Sequence, residues 1–162
     1  MVKAMTAAHH GFAFAWNNGD HSSGSAPMRE VTKYYPSSKF ARNVSYPAFG
    51  NSSINNDPGP GDPKAGDMEG GINLGFDWKD VLDEPGKWSA AISNSLATAE
   101  MTVDVTPRRC QQFKPTAGTK LTWTSSLGEK GESAADEWGL ATVTKLKIKP
   151  GEPTVLTIEV AK

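Results

Sequence analysis

The residues able to do chemistry in this chain fall into a few groups. His21 follows the apolar run Phe12-Ala13-Phe14-Ala15-Trp16 and the polar turn Asn17-Asn18-Gly19-Asp20. A continuous apolar run reads as a strand covered on both faces, and open α/β sheets place their chemistry in the loops that follow such strands. An imidazole at that point can take and return a proton, since its unperturbed pKa is about 6.5. His21 equally reads as a polar loop residue with no chemistry. Asp20 is a poor partner for it, because neighbours on an extended chain point to opposite sides.

A second group is acidic. Asp57, Asp62, Asp67 and Glu69 lie in or beside the Pro/Gly-rich stretch from Asn51 to Gly71, together with Asn55 and Asn56. Calcium is a hard cation that takes several carboxylate and carbonyl oxygens from turn-rich segments. The spacing is not that of an EF-hand, so the stretch reads either as a calcium site or as a surface connection between two modules.

The aromatic and cationic candidates lie further on. Trp138 sits between Glu137 and Gly139 at a turn, where an exposed indole can stack on the apolar face of a sugar. Trp78, Trp88 and Trp123 share its chemistry but fall in alternating apolar runs, so they read as core. Arg108-Arg109 could clamp a carboxylate or sulfate with their planar forks, or could serve as charged edge residues that discourage strand pairing. His9, His10 and His21 with Asp20 are ligand types for zinc or copper, yet adjacent histidines diverge in regular structure and no two are spaced for one helical face.

The elements that must position these groups are mostly strands. MVKAMTAAHH has Val2, Met5 and Ala8 on one side and reads as the end of an amphipathic helix that enters the Phe12–Trp16 strand. A short helix is expected over Met28 to Tyr35, ended by Pro36. Phe40, Val44, Tyr46 and Phe49 alternate loosely, with Pro47 favouring an edge strand. Spacing-two patterns follow at Ile72, Leu74, Phe76 and Trp78, at Trp88, Ala90 and Ile92, and at Met101, Val103 and Val105, where Pro107 is expected to end regular pairing. Further strands are expected at Leu121 and Trp123, at Ala134 to Trp138, at Val143 to Ile148, and at Val155 to Val160. The reading is mainly β: a small antiparallel β-sandwich, with the spacing of fibronectin or immunoglobulin-like modules, preceded by a short α/β remnant. Residues 1–71 form the remnant and loop, and residues 72–162 the sandwich module.

Composition narrows the partners. Seventeen Lys and Arg against 18 Asp and Glu leave a formal net charge of −1, which carries no electrostatic footprint for nucleic acid or an anionic membrane surface. No apolar run reaches the ~18 residues of a membrane span. The single Cys110 excludes an internal disulfide. Sixteen Gly and 11 Pro with 37% hydrophobic residues describe a globular but loop-rich chain.

The His10–Ser22 segment, followed by SYPAFGNSSINNDPGPGDPKAGDMEGGIN, DEPGKW, VDVTPRRCQQFKP and ADEWGLATV, resembles the C-terminal part of bacterial α/β-hydrolases that carry an appended β-sandwich. The resemblance implies that His21 is the catalytic general base of a serine hydrolase acting on esters or polysaccharide-linked substrates. No G-x-S-x-G occurs, and in that superfamily the nucleophile elbow precedes the acid and the histidine, so the resemblance places the serine in a domain upstream of Met1. It further implies an inactive isolated chain and a secreted or periplasmic parent; no cofactor is required, and calcium is the candidate that the acidic loop itself offers. The alternative is a non-catalytic module that binds carbohydrate or a partner through Trp138. The short N-terminal piece then adds to the sandwich, dimerises, or leaves Phe12, Phe14 and Trp16 exposed.

Overall fold

Alternating apolar residues fold into two packed layers of antiparallel strands, a small β-sandwich. The computed structural model describes residues 1–17, 40–55 and 69–161. In chain order the elements are α1 (Val2–Ala7), β1 (Phe14–Asn17), β2 (Tyr46–Gly50), β3 (Glu69–Ile72), β4 (Phe76–Glu84), β5 (Lys87–Asn94), β6 (Met101–Arg108), β7 (Lys120–Ser125), β8 (Lys130–Ala134), β9 (Val143–Ile148) and β10 (Thr154–Val160). One layer runs β4-β5-β10-β7-β8 and the other β2-β6-β9, while β1 and β3 make a separate two-stranded ribbon.

Spacing-two residues share one face of a pleated strand, and that face is the core. Trp88, Ile92, Leu156 and Ile158 from the larger sheet meet Met101, Val103, Val105 and Leu146 from the smaller one, all of them fully buried. Ile158 stands opposite Trp88 on one side and Trp123 on the other, which aligns the three on the inner face. Phe49 of β2 stacks on Phe76 of β4 with ring centroids 4.2 Å apart and planes at 12°, tying the layers together. Such a pair adds about 0.5–1.5 kcal/mol beyond the area it buries. Deep in the core, the Trp88 indole N–H donates to Ser45 Oγ at 2.9 Å, so its one polar atom is satisfied.

Three local expectations meet a different outcome. Pro107 does not end pairing in β6; it stands opposite Pro47, and Arg108 still pairs with Tyr46. The missing N–H is harmless there, because pairing of β6 with β9 has already ended at Val105 and Val143. Pro47 itself lies in an edge strand, as its chemistry requires.

The second outcome concerns β1. Among the described residues it pairs with β3 alone, and antiparallel, where its apolar run predicts a strand of a doubly covered parallel sheet. Phe12 is buried, but Phe14 and Trp16 are only half-buried. Trp16 stands opposite Gly70 and lies across it; a Cβ on Gly70 would come within 2.4 Å of the ring. Asn73, buried and in the left-handed region at φ 56°, staples this ribbon to the sandwich. Its Nδ2 donates to Phe12 O at 3.2 Å and to Phe49 O at 2.9 Å. The N-terminal residues also enter the sandwich directly, since β2 pairs along its length with β6.

The third is the strand expected from Ala134 to Trp138. The strand is β8, Lys130–Ala134, and the residues after it form a loop. Its sequence KGESA has no apolar alternation because it is a short edge strand with little to bury. Gly131 weakens the signal further, yet it has a cross-strand role: Trp123 lies opposite and covers it, at 2.8 Å from where a Cβ would stand.

Candidate functional site

At one end of the sandwich the β6–β7 connection meets the β8–β9 connection, and each is held by one carboxylate. Arg109 turns the chain out of β6 with φ 52°. The next residues then aim three successive backbone N–H groups at Asp83: Gln111 at 2.5 Å, Gln112 at 3.2 Å and Phe113 at 2.8 Å. Convergent N–H groups of this kind make a concavity for an anion, here filled by the protein's own side chain. Phe113, 3% exposed, plugs the segment into the core.

The opposite rim is the loop that carries Trp138. Asp136 Oδ1 accepts from the backbone N–H of Trp138 and of Leu140, each at 2.8 Å, while Asp136 N–H donates to Leu140 O at 3.0 Å. Gly139 closes the turn at φ 73°, so close to the other connection that a Cβ would lie 2.5 Å from Pro115 O. Hydrogen bonds from Gly118 N to Ala135 O and from Ala135 N to Thr119 O complete the junction. Both rims are therefore fixed by satisfied backbone groups.

Between them is a cleft of about 630 Å³. Arg108, Arg109, Lys114 and His10 line it, Trp138 stands at its edge, and among the described residues no carboxylate is part of its wall. Trp138 is 78% exposed, the most exposed large aromatic side chain among the described residues. Arg109 is braced: its Nη1 donates to Phe40 O and to Ala41 O, and its guanidinium lies 5.6 Å from the centroid of the Tyr46 ring. Arg108 Nη1 donates to Ala8 O at 3.3 Å. Each guanidinium has five donors, so both keep capacity for an incoming acceptor. Among the described residues none of the three cations forms an ion pair; the pairs there, Lys87–Glu159 and Lys147–Glu100, lie elsewhere.

Cys110 is the obvious nucleophile by type in the cleft wall, but its setting opposes that role. Burial pushes the thiol up to about 11, outweighing the hydrogen bond with Ser45 Oγ at 3.3 Å. The thiolate is the reactive form, so this side chain is held in its inert state.

Other residues singled out by sequence have different outcomes. His21, Asp57, Asp62 and Asp67 lie outside the described residues, as does the helix expected over Met28 to Tyr35. Glu69 opens β3, opposite Asn17. His9 and His10 diverge: His9 Nδ1 lies 3.4 Å from Thr106 Oγ1, whereas His10 faces the cleft. No group of three or more His, Cys, Asp or Glu gathers in a metal-holding arrangement among the described residues. Trp138 and the arginine pair, read separately in the sequence, belong to one cleft. Lys114 and His10 were not legible as its members; the cation spacing in RRCQQFKP was the available signal for Lys114, and none existed for His10.

A larger depression, about 800 Å³, lies between α1 and the β1–β3 ribbon. Met1, Val2, Ala7, Phe14 and Ile72 give it a largely apolar lining; its polar members include Asn51, Ser52 and Asn55, which are engaged with Asp104 Oδ2, Ile54 N and Asn73 N. Compared with protein-family models, curated proteins and solved structures, the chain has no significant match in any of the three. Fold and site thus define it by themselves, as a mainly β module with a polar, cationic cleft edged by an exposed tryptophan.

Proposed function

We propose that this chain is a non-catalytic carbohydrate-binding module whose ligand docks in the cleft between the 111–115 segment and the Trp138 loop. The observation that carries the reading is Trp138: an indole 78% exposed, on a loop that Asp136 and Gly139 hold rigid. An indole kept in water contributes nothing to the core, and a sugar's C–H face fits such a flat aromatic surface on a fixed backbone with little ordering cost. The polar wall opposite supplies donors for hydroxyl oxygens. The hydrolase parentage rests on the sequence resemblance around His21, outside the described residues, and the cleft contributes nothing to it.

Retention on a panel of soluble polysaccharides in affinity electrophoresis tests the proposal. The wild-type chain should be retarded by at least one polysaccharide. Trp138→Ala should run as in the gel without ligand, and Trp138→Phe should keep part of the retardation. Equal retardation of the wild type and Trp138→Ala would remove the basis for the reading.

A further inference from the structure

The cleft has a sign as well as a shape. Resting on the carbohydrate reading, we infer that its ligand is an acidic saccharide, one whose sugar rings bear a carboxylate or a sulfate ester. Three cations, Arg108, Arg109 and Lys114, stand in one wall beside Trp138, in a chain whose formal net charge is −1. Such a concentration is not the average surface of this protein.

Among the described residues no carboxylate lines the cleft, and the two that brace its rims are committed to backbone N–H groups. Asp83 is occupied by three backbone N–H groups and Asp136 by two. Glu137, next to Trp138 in sequence, is exposed and forms no part of the wall. Three like charges gathered in one cleft repel each other, and an anion placed among them relieves that repulsion while gaining charge-assisted hydrogen bonds.

The division of labour within the wall is specific. Arg109 is committed through Nη1 to the carbonyls of Phe40 and Ala41 and packs over Tyr46, so it gives charge and rigidity. Among the described residues the Arg108 side chain makes one hydrogen bond, to Ala8 O, and Lys114 is exposed, so both keep donors to turn toward a ligand. A guanidinium fork suits the planar carboxylate of a uronate and the oxygens of a sulfate alike. Trp138 stacks on the ring that carries the anion or on its neighbour.

Three galactose-based oligosaccharides of equal length test this by isothermal titration calorimetry at low and moderate salt: neutral, carboxylated (oligogalacturonate) and sulfated. Polyglutamate serves as a polyanion without sugar rings. At least one acidic oligosaccharide should bind tenfold or more tighter than the neutral one, a gap that added salt narrows. Whichever acidic arm binds tighter names the anion. Arg108→Gln and Lys114→Gln should each lower acidic-ligand affinity by about tenfold and change neutral-ligand affinity by less than about twofold. Lys114 is on the surface, so its variant reads the ligand effect even if Arg108→Gln folds poorly.

Equal affinity for neutral and acidic oligosaccharides would overturn this inference and leave the carbohydrate reading standing. Polyglutamate binding as tightly as the acidic sugars, or acidic-sugar binding unchanged in Trp138→Ala, would reduce the site to a charged patch and overturn it too. If none of the three oligosaccharides binds, this inference falls, and the carbohydrate reading is decided by the polysaccharide panel alone.

Discussion

Trp88 and Trp138 are the same residue type used in opposite ways, one in the core and one at the mouth of the cleft. Trp88 is 0% exposed, with its indole N–H on Ser45 and its ring among Ile158, Ile92 and the facing sheet. Trp138 stands 78% in solvent, on a loop whose backbone is cinched although its side chain is not. The difference teaches where each free energy is stored. The core gains stability from burying an aromatic ring, while the rim fixes the backbone and leaves the ring available to a ligand.

Substitutions that break this contrast should differ in size in a definite order. Trp88→Ala empties the centre of the core and leaves Ser45 without its donor, so denaturant unfolding should show a loss of about 3–5 kcal/mol. A loss below about 1 kcal/mol would mean that the core collapses around the gap or that the two layers do not depend on this ring. Gly139→Ala comes next. The left-handed backbone and the contact with Pro115 O should cost about 1–3 kcal/mol, and saccharide binding should fall with it because the Trp138 loop must move away from the 111–115 segment. Unchanged binding in that variant would separate the position of the loop from the function of the cleft.

The contrast can also be sharpened through Cys110, which lies between the two regions. Its thiol is raised from about 9 to about 11 by burial, so the folded state keeps a proton that the unfolded chain releases earlier. The stability this provides is complete below the unfolded pKa and is lost as pH rises through the window from about 9 to about 11. Unfolding midpoints measured across that window should fall more steeply for the wild type than for Cys110→Ala, whose other titrating groups are the same. Parallel curves would mean that the thiol is as accessible folded as unfolded. The smallest effect on stability belongs to Trp138→Ala, which should stay within about 0.5 kcal/mol of the wild type while binding is lost. A large destabilisation there would place the ring in the core's service after all.

Much of the β architecture was legible because strand periodicity is local. Trp88, Ala90 and Ile92, or Met101, Val103 and Val105, declare a buried face within a handful of residues, and the sheets use those faces. Pro47 announced an edge strand for the equally local reason that it has no N–H to give. β8 leaves little trace in the sequence, because KGESA is a half-exposed edge strand whose glycine makes sense only against Trp123 on the neighbouring strand. The kind of sheet that β1 joins is not legible, because an apolar run records burial and not the direction of the partner that supplies it.

Alternation within a few residues was enough for the sandwich class and for the burial of Trp78 and Trp88, while the turn chemistry around Gly139 made Trp138 a candidate for exposure without deciding it. Only the tertiary structure decided that Arg108, Lys114, His10 and Trp138 share one cleft. Those residues are brought together by Asp83 holding the backbone of residues 111–113, and by Gly139 lying against Pro115. Contacts between connections so far apart in the chain leave no periodic trace in it, because what fixes them is the closing of the sheets around a common core.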